Sequence, residues 1–167
     1  MKQIRLRAME PEDLDLLYRI ENDQSLWGMG VSNVPYSRFT LHDFIANSSG
    51  NIYADGQVRL IAETEDGVVV GMADVVNFDA KNRRAEVGML IECQYRRQGY
   101  GEQALRQLAD YALSVLHLHQ LYAYVAADNQ PSLALFGKVG FTPSAQLHDW
   151  LYDGRQYHPA LLMQRIL

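Results

Sequence analysis

Glycines, arginines and backbone amides carry the first chemical signal in this chain. Residues 96–101 read Arg96-Arg97-Gln98-Gly99-Tyr100-Gly101, an R-x-x-G-x-G pattern. Just before it, Arg84 to Ile91 is rich in branched and long apolar side chains, which predicts a strand. A helical pattern follows directly. A glycine-bearing turn between strand and helix aims several N–H groups into one small volume, and the helix dipole adds positive potential there. That combination suits a pyrophosphate. Gly99 and Gly101 lack Cβ, so an anion can approach the backbone closely. The guanidinium groups of Arg96 and Arg97 can hydrogen-bond phosphate oxygens. The turn is not a Walker A loop, because no Lys-Ser/Thr follows its last glycine. It is not the dinucleotide fingerprint either, because the first glycine of G-x-G-x-x-G is missing. Taken alone, these residues also fit an ordinary strand-to-helix turn, so the surroundings decide.

The elements that must position this turn follow in order. Ile4 to Ala8 alternates as a short strand. Pro11 opens a helix carrying Leu14, Leu17 and Tyr18, and Asn22-Asp23 ends it. Gln24 to Ser37 is irregular and holds Trp27, Gly28, Gly30, Pro35 and Tyr36. A second helix is predicted over Arg38–Ala46. Arg59–Glu65 and Val68–Phe78 read as strands joined by Asp66-Gly67, the strongest hairpin signal in the chain, with a possible bulge at Gly71. With Arg84–Ile91 they make an antiparallel run. From Gly101, apolar residues at helical spacing predict a helix of roughly four turns. Leu121–Ala126 reads as a strand, and Asp128-Asn129 caps a helix that Gly140 stops. Phe141 starts another strand, and Asp153-Gly154 turns a final hairpin between Gln146–Tyr152 and Gln156–Arg165.

Length and composition bound the reading. The chain has 167 residues and reads as one domain, residues 1–167, with 48% hydrophobic and 21% charged residues. No apolar run matches a membrane span, and the N-terminus shows no apolar secretory core. A single cysteine, Cys93, excludes an internal disulfide framework and a cysteine-based zinc site. Five histidines show no metal spacing. A cytoplasmic location is the default. The net charge of −5 argues against nucleic acid as a main partner and fits a cationic substrate. No membrane partner is expected.

A second motif joins the first: Asn129-Gln130-Pro131-Ser132-Leu133-Ala134-Leu135-Phe136-Gly137-Lys138-Val139-Gly140-Phe141. Together with Arg96–Gly101 and the element order, it resembles the GCN5-related N-acetyltransferase superfamily over nearly the whole chain. Arg96–Gly101 looks like that family's acyl-CoA pyrophosphate loop. The second motif is similar to its N-x-x-A/S-x-x-x-Y-x-K-x-G-F signature. Leu6-Arg7, Arg83-Arg84-Ala85-Glu86 and the Asp153-Gly154 hairpin resemble the spermidine and ribosomal-protein acetyltransferase branch. The implied fold is α/β (α+β): a mixed, mostly antiparallel twisted sheet of about seven strands flanked by about four helices. The implied activity is transfer of an acetyl group from acetyl-CoA to a primary amine by direct attack, with no metal. The acceptor is a polyamine, another small amine or a protein N-terminus. The alternative is an acyl-CoA-binding regulatory module with little catalysis.

The resemblance also implies roles. An ammonium with a pKa near roughly 10 must lose a proton before it attacks. Glu86 is the implied base, either directly or through water. Its other reading is a surface residue paired with Arg83 or Arg84. Met89, Leu90 and Ile91 would pair with the pantetheine arm like an added strand, with the Leu90 N–H as oxyanion donor. Arg96, Arg97, Gln98, Gly99, Tyr100 and Gly101 would hold the diphosphate. Asn129 resembles a cofactor contact and also reads as a helix cap. Phe136 stands where relatives commonly carry a tyrosine that serves as general acid, which a phenyl ring cannot do. The acceptor would lie across the central strands, lined by Trp27–Tyr36 and the hairpin near Trp150. Glu21, Asp23, Asp74 and Asp149 read either as amine ligands or as solvated charges. Leu161, Leu162 and Met163 read either as a homodimer surface or as core.

Overall fold

Two antiparallel hairpin signals and one strand–turn–helix crossover dictate a mixed sheet, and a sheet of seven strands results. The computed structural model describes residues 2–27 and 33–167. Strand β1 spans Ile4–Ala8, and a 3₁₀ turn over Pro11–Asp13 leads into helix α1, Leu14–Glu21. Single-turn helix α2, Gln24–Trp27, falls in the segment expected to be irregular. Helix α3 covers Arg38–Asn47, and its cap is Ser37, whose hydroxyl accepts from the Thr40 N–H. A short α4, Ile52–Asp55, is capped by Asn51 in a stretch for which no element was expected. Strands β2 (Val58–Thr64), β3 (Val69–Asp79) and β4 (Arg84–Ile91) pair antiparallel in turn.

Helix α5, Tyr100–Ser114, returns the chain so that β5, Gln120–Ala126, lies parallel to β4. A parallel pair needs such a crossover. Helix α6 spans Gln130–Lys138, and β6 (Thr142–Tyr152) and β7 (Tyr157–Ile166) form the last hairpin. The strand order is β1-β2-β3-β4-β5-β7-β6, so β7 pairs with β5 and β6 is the outer edge. The separate strands expected at Phe141 and Gln146 are one strand with register shifts. Four of the helices among the described residues have eight residues or more: α1, α3, α5 and α6.

The core lies on both faces of the sheet. Leu105, Leu108, Ala109 and Ala112 of α5 pack on Ala85, Val87, Leu121 and Ala123. Full burial of Leu105 or Leu108 contributes roughly 2 kcal/mol each. On the opposite face, Leu16 and Ile20 of α1 pack on Ile61 and Met72. Leu161 packs against the α5-side core and Met163 is 3% exposed within it. The core reading therefore holds for these two. At Gly71 the β3 backbone passes so close to β4 that a Cβ would sit 2.1 Å from the Leu90 carbonyl oxygen. The register slips beside it, between Ala62 and Glu63, which places the bulge at Val70.

Candidate active site

Strands β4 and β5 are joined by only three pairs, Arg84↔Gln120, Ala85↔Leu121 and Glu86↔Tyr122. Beyond Glu86 the two strands part, because β5 goes on pairing with β7 as far as Ala126. Residues 87–91 therefore face an opening on one side and β3 on the other. The Glu92 N–H donates to the Val70 carbonyl at 3.0 Å, and the register from Gly71↔Ile91 to Val76↔Glu86 is unbroken. Antiparallel peptides alternate sides. Leu90 is thus turned to β3, while the N–H and C=O of Met89 and Ile91 face the opening. The Leu90 N–H, expected to be an oxyanion donor, is directed away from the gap. Met89 and Ile91 share the parity that serves it. The exposed Arg96 donates through Nε to the Ile91 carbonyl at 2.9 Å, which closes off the far end of the strand.

The loop at that end has the geometry of an anion cradle. Arg97 has φ +58° and Gly99, the N-cap of α5, has φ +82°. The first helical bond runs from the Gln103 N–H to the Gly99 carbonyl, so the amides of residues 100–102 have no helical partner. Among the described residues, the N–H groups of residues 97–99 donate to no main-chain carbonyl at ordinary geometry. Arg97 and Gln98 are exposed. Tyr100 contributes only its backbone, since its ring is buried with Ile4, Val70 and Ala104. Gly101 serves packing. A Cβ there would lie 3.2 Å from Leu135 Cδ2 and 3.6 Å from side-chain atoms of Met89 and Ile91. This contact ties the loop, β4 and α6 together, and Leu135 was not singled out from the sequence.

Glu86 is half-buried on the opposite face of the sheet from α5. Its Oε2 accepts from Asn77 Nδ2 at 2.7 Å. Neither arginine pairs with it: Arg84 binds Asp79 at 3.3 Å and Arg83 donates to the His117 carbonyl. Asn77 has φ +50°, and the β3–β4 register shifts between Val76 and Asp79. That bulge is what aims Asn77 at Glu86. Burial, and then the Glu86 charge, push the Tyr122 hydroxyl above the usual tyrosine range, so it stays protonated at neutral pH. Phe136 is 5% exposed and meets Phe141 edge-on at 4.9 Å, so its ring is core. Asn129 caps α6, its side chain accepting from the Ser132 N–H at 3.2 Å.

The expected acceptor lining divides. Residues 28–32 of the Trp27–Tyr36 segment, with Gly28 and Gly30, lie outside the described residues. Asn22 clamps Tyr36 through bonds of 2.8 and 3.0 Å. Glu21 and Asp74 are not solvated charges. Arg59 bonds both, at 2.6 and 2.8 Å. Burial alone would lower the Arg59 pKa; Asp74 and then Glu21 reverse this and hold it protonated. Asp23 is exposed and its carboxylate accepts from Ser25 Oγ and N–H, which lowers its pKa. Asp149 is exposed with φ +48°. Among the described residues, no group of three or more His, Cys, Asp or Glu side chains is placed to hold a metal ion. No helix among them is long and apolar enough to cross a membrane.

The comparisons agree with this geometry. The family model described as acetyltransferase (GNAT) domain matches residues 3–142. The spermidine N(1)-acetyltransferase of Escherichia coli (strain K12) is 29% identical over 162 residues, covering 96% of this chain and 84% of that protein. YdaF of Bacillus subtilis (strain 168), provisionally named a ribosomal N-acetyltransferase, is 30% identical over 161 residues, covering 94% and 87%. The crystal structure of the spermidine N-acetyltransferase of Vibrio cholerae with CoA and spermine aligns with a TM-score of 0.87 at 22% identity, covering 98% of this chain and 95% of that one. At that identity the likeness carries the fold alone. With a parting of β4 from β5 above an amide-lined loop, and a family model that spans most of its length, this chain belongs to the GNAT acetyltransferase family.

Proposed function

We propose that this acetyltransferase moves an acetyl group from acetyl-CoA to the primary amine of a polyamine or similar small amine, with Glu86 as base. One observation carries the reading: the opening between β4 and β5 starts at Glu86 and leads to the free amides of residues 97–101. The amides and the exposed Arg97 suit a diphosphate. The open N–H and C=O of Met89 and the N–H of Ile91 suit an arm that pairs as an extra strand, with the Ile91 carbonyl already taken by Arg96. Glu86 takes a proton from the ammonium, directly or through water, and the freed nitrogen attacks the thioester carbonyl. The Met89 or Ile91 N–H, rather than that of Leu90, stabilises the oxyanion. The C–S bond breaks as the nitrogen sheds its second proton to solvent to become the amide, and the leaving thiolate takes a proton from solvent, since Phe136 has none to give. The names of the spermidine N(1)-acetyltransferases of Escherichia coli and Vibrio cholerae support a polyamine acceptor.

The same reading places the chain in a reducing cytoplasm, where the exposed Cys93 stays a thiol, with no nucleic-acid or membrane partner. A second copy is the proposed protein partner. In its support, β6 is an outer strand with nearly all residues exposed, and an open edge invites pairing. Thiol release from acetyl-CoA over a panel of amines, beside calorimetric CoA binding, tests the reaction. Release that depends on spermidine or a related amine supports the proposal. CoA binding without turnover of any amine defeats it in favour of a binding module, and sedimentation as a monomer removes the second copy.

A further inference from the structure

Cross-strand partners share a face of a sheet. By register, Arg59, Asp74, Val76, Glu86 and Gly88 lie on one face, and Tyr122 joins them opposite Glu86. Tyr124, two residues on, continues that face. An amine that meets Glu86 crosses this surface, so the inference rests on the proposed role of Glu86. The strand is bare at Gly88, where an added Cβ would meet only the Asp74 Cβ, at 4.0 Å. Two kinds of group stand ready to hold the rest of the amine. The carboxylates are already used: Arg59 neutralises Glu21 and Asp74. The rings are free. Tyr122 meets Tyr124 edge-on at 5.8 Å, and Tyr124 lies against Trp150 at 5.3 Å with planes 36° apart. Tyr124 is 38% and Trp150 51% exposed, so the ladder runs from the Glu86 rung outward into solvent.

We propose that Tyr122, Tyr124 and Trp150 form the acceptor subsite, which holds a second cationic centre of the amine by its π faces and not by carboxylates. Attraction of an ammonium to exposed rings is modest but additive with the contact of its methylene stem. Tyr122 to Tyr124 advances about 7 Å along the strand, a span that about five C–C bonds cover. The preferred substrate class is therefore a diamine or polyamine, and a monoamine of equal length gains little from the ladder.

Calorimetric titration of spermidine and of butylamine into the CoA complex tests this without turnover. Trp150→Ala and Tyr124→Ala are expected to weaken spermidine by about three- to thirtyfold, with Trp150→Phe within about threefold of wild type and butylamine nearly unaffected. Both alanine variants remain folded, as both side chains are exposed. Unchanged spermidine binding in both variants overturns the proposal, as does equal loss for both amines or no spermidine binding by wild type. If wild type binds spermidine through these rings yet turns over no amine, the reaction reading fails and the subsite stands. Loss of self-association in Trp150→Ala with spermidine binding intact assigns the rings to an interface and also overturns it.

Discussion

A carboxylate works as a base only where its geometry is held, and Glu86 is held by one amide, that of Asn77. Replacing Glu86 with Gln keeps the shape and removes the proposed proton acceptor. Turnover should fall about a hundredfold or more, with CoA affinity unchanged by calorimetry. Asn77→Ala leaves the acceptor but frees its orientation, and a fall of about tenfold in turnover without change in CoA affinity is expected from steady-state kinetics. Glu86 was legible in the sequence through the resemblance alone, which puts a carboxylate at that position of the central strand. Asn77 was not, since strand alternation puts it on the other face and only the bulge brings it round. The parity of the Met89 and Ile91 amides was equally hidden. It depends on a register with β3 that no local pattern specifies.

At the scale of elements, two junctions decide the site. The first is the loop entering α5. Gly99 at φ +82° adopts a conformation that costs a residue with Cβ about 1–2 kcal/mol. Gly99→Ala should lower stability in urea by about that amount and weaken CoA binding, because the amides no longer converge. The second junction is Arg59, which ties α1 to β2 and β3 through Glu21 and Asp74, with its side chain 23% exposed. Arg59→Met would leave two half-buried carboxylates facing each other. A loss of about 3 kcal/mol in chemical denaturation is expected. The glycine loop was readable from its residue types together with the strand pattern before it and the helical pattern after it. The Arg59 bridge was not, because its three members are far apart in the chain and each looks like an ordinary surface charge. The single-turn α4 escaped too, being too short to show helical periodicity.

Over the whole molecule, carboxylates set the response to acid. Burial alone would raise the Asp13 carboxyl; the Arg7 guanidinium and the Glu10 N–H outweigh it and hold it below the usual range. Arg5 and Arg7 do the same for Glu63 against a smaller burial effect. Lys2 and Thr64 bring Asp66 to about 2, and the Gln156 N–H with His158 brings Asp153 to about 2. Each group binds fewer protons folded than unfolded, so its contribution is complete above the ordinary carboxylate range. It drains away as pH falls through that range towards about 2. Melting temperature should hold near neutrality and drop steadily below about pH 4, and Asp13→Asn should flatten that slope. The seven-stranded plan was legible through its motifs, but the order β5-β7-β6 was not. The last hairpin shows two adjacent strands and gives no sign of which one reaches inward.

The three pairs between β4 and β5 have a mechanical meaning. They are the spine of two leaves, one made of β1 to β4 and the other of β5, β7 and β6. A nucleotide-tailed thioester lying between them would staple the leaves together, so saturation with CoA should slow deuterium uptake across both margins of the fissure and stiffen the molecule well beyond the atoms it touches.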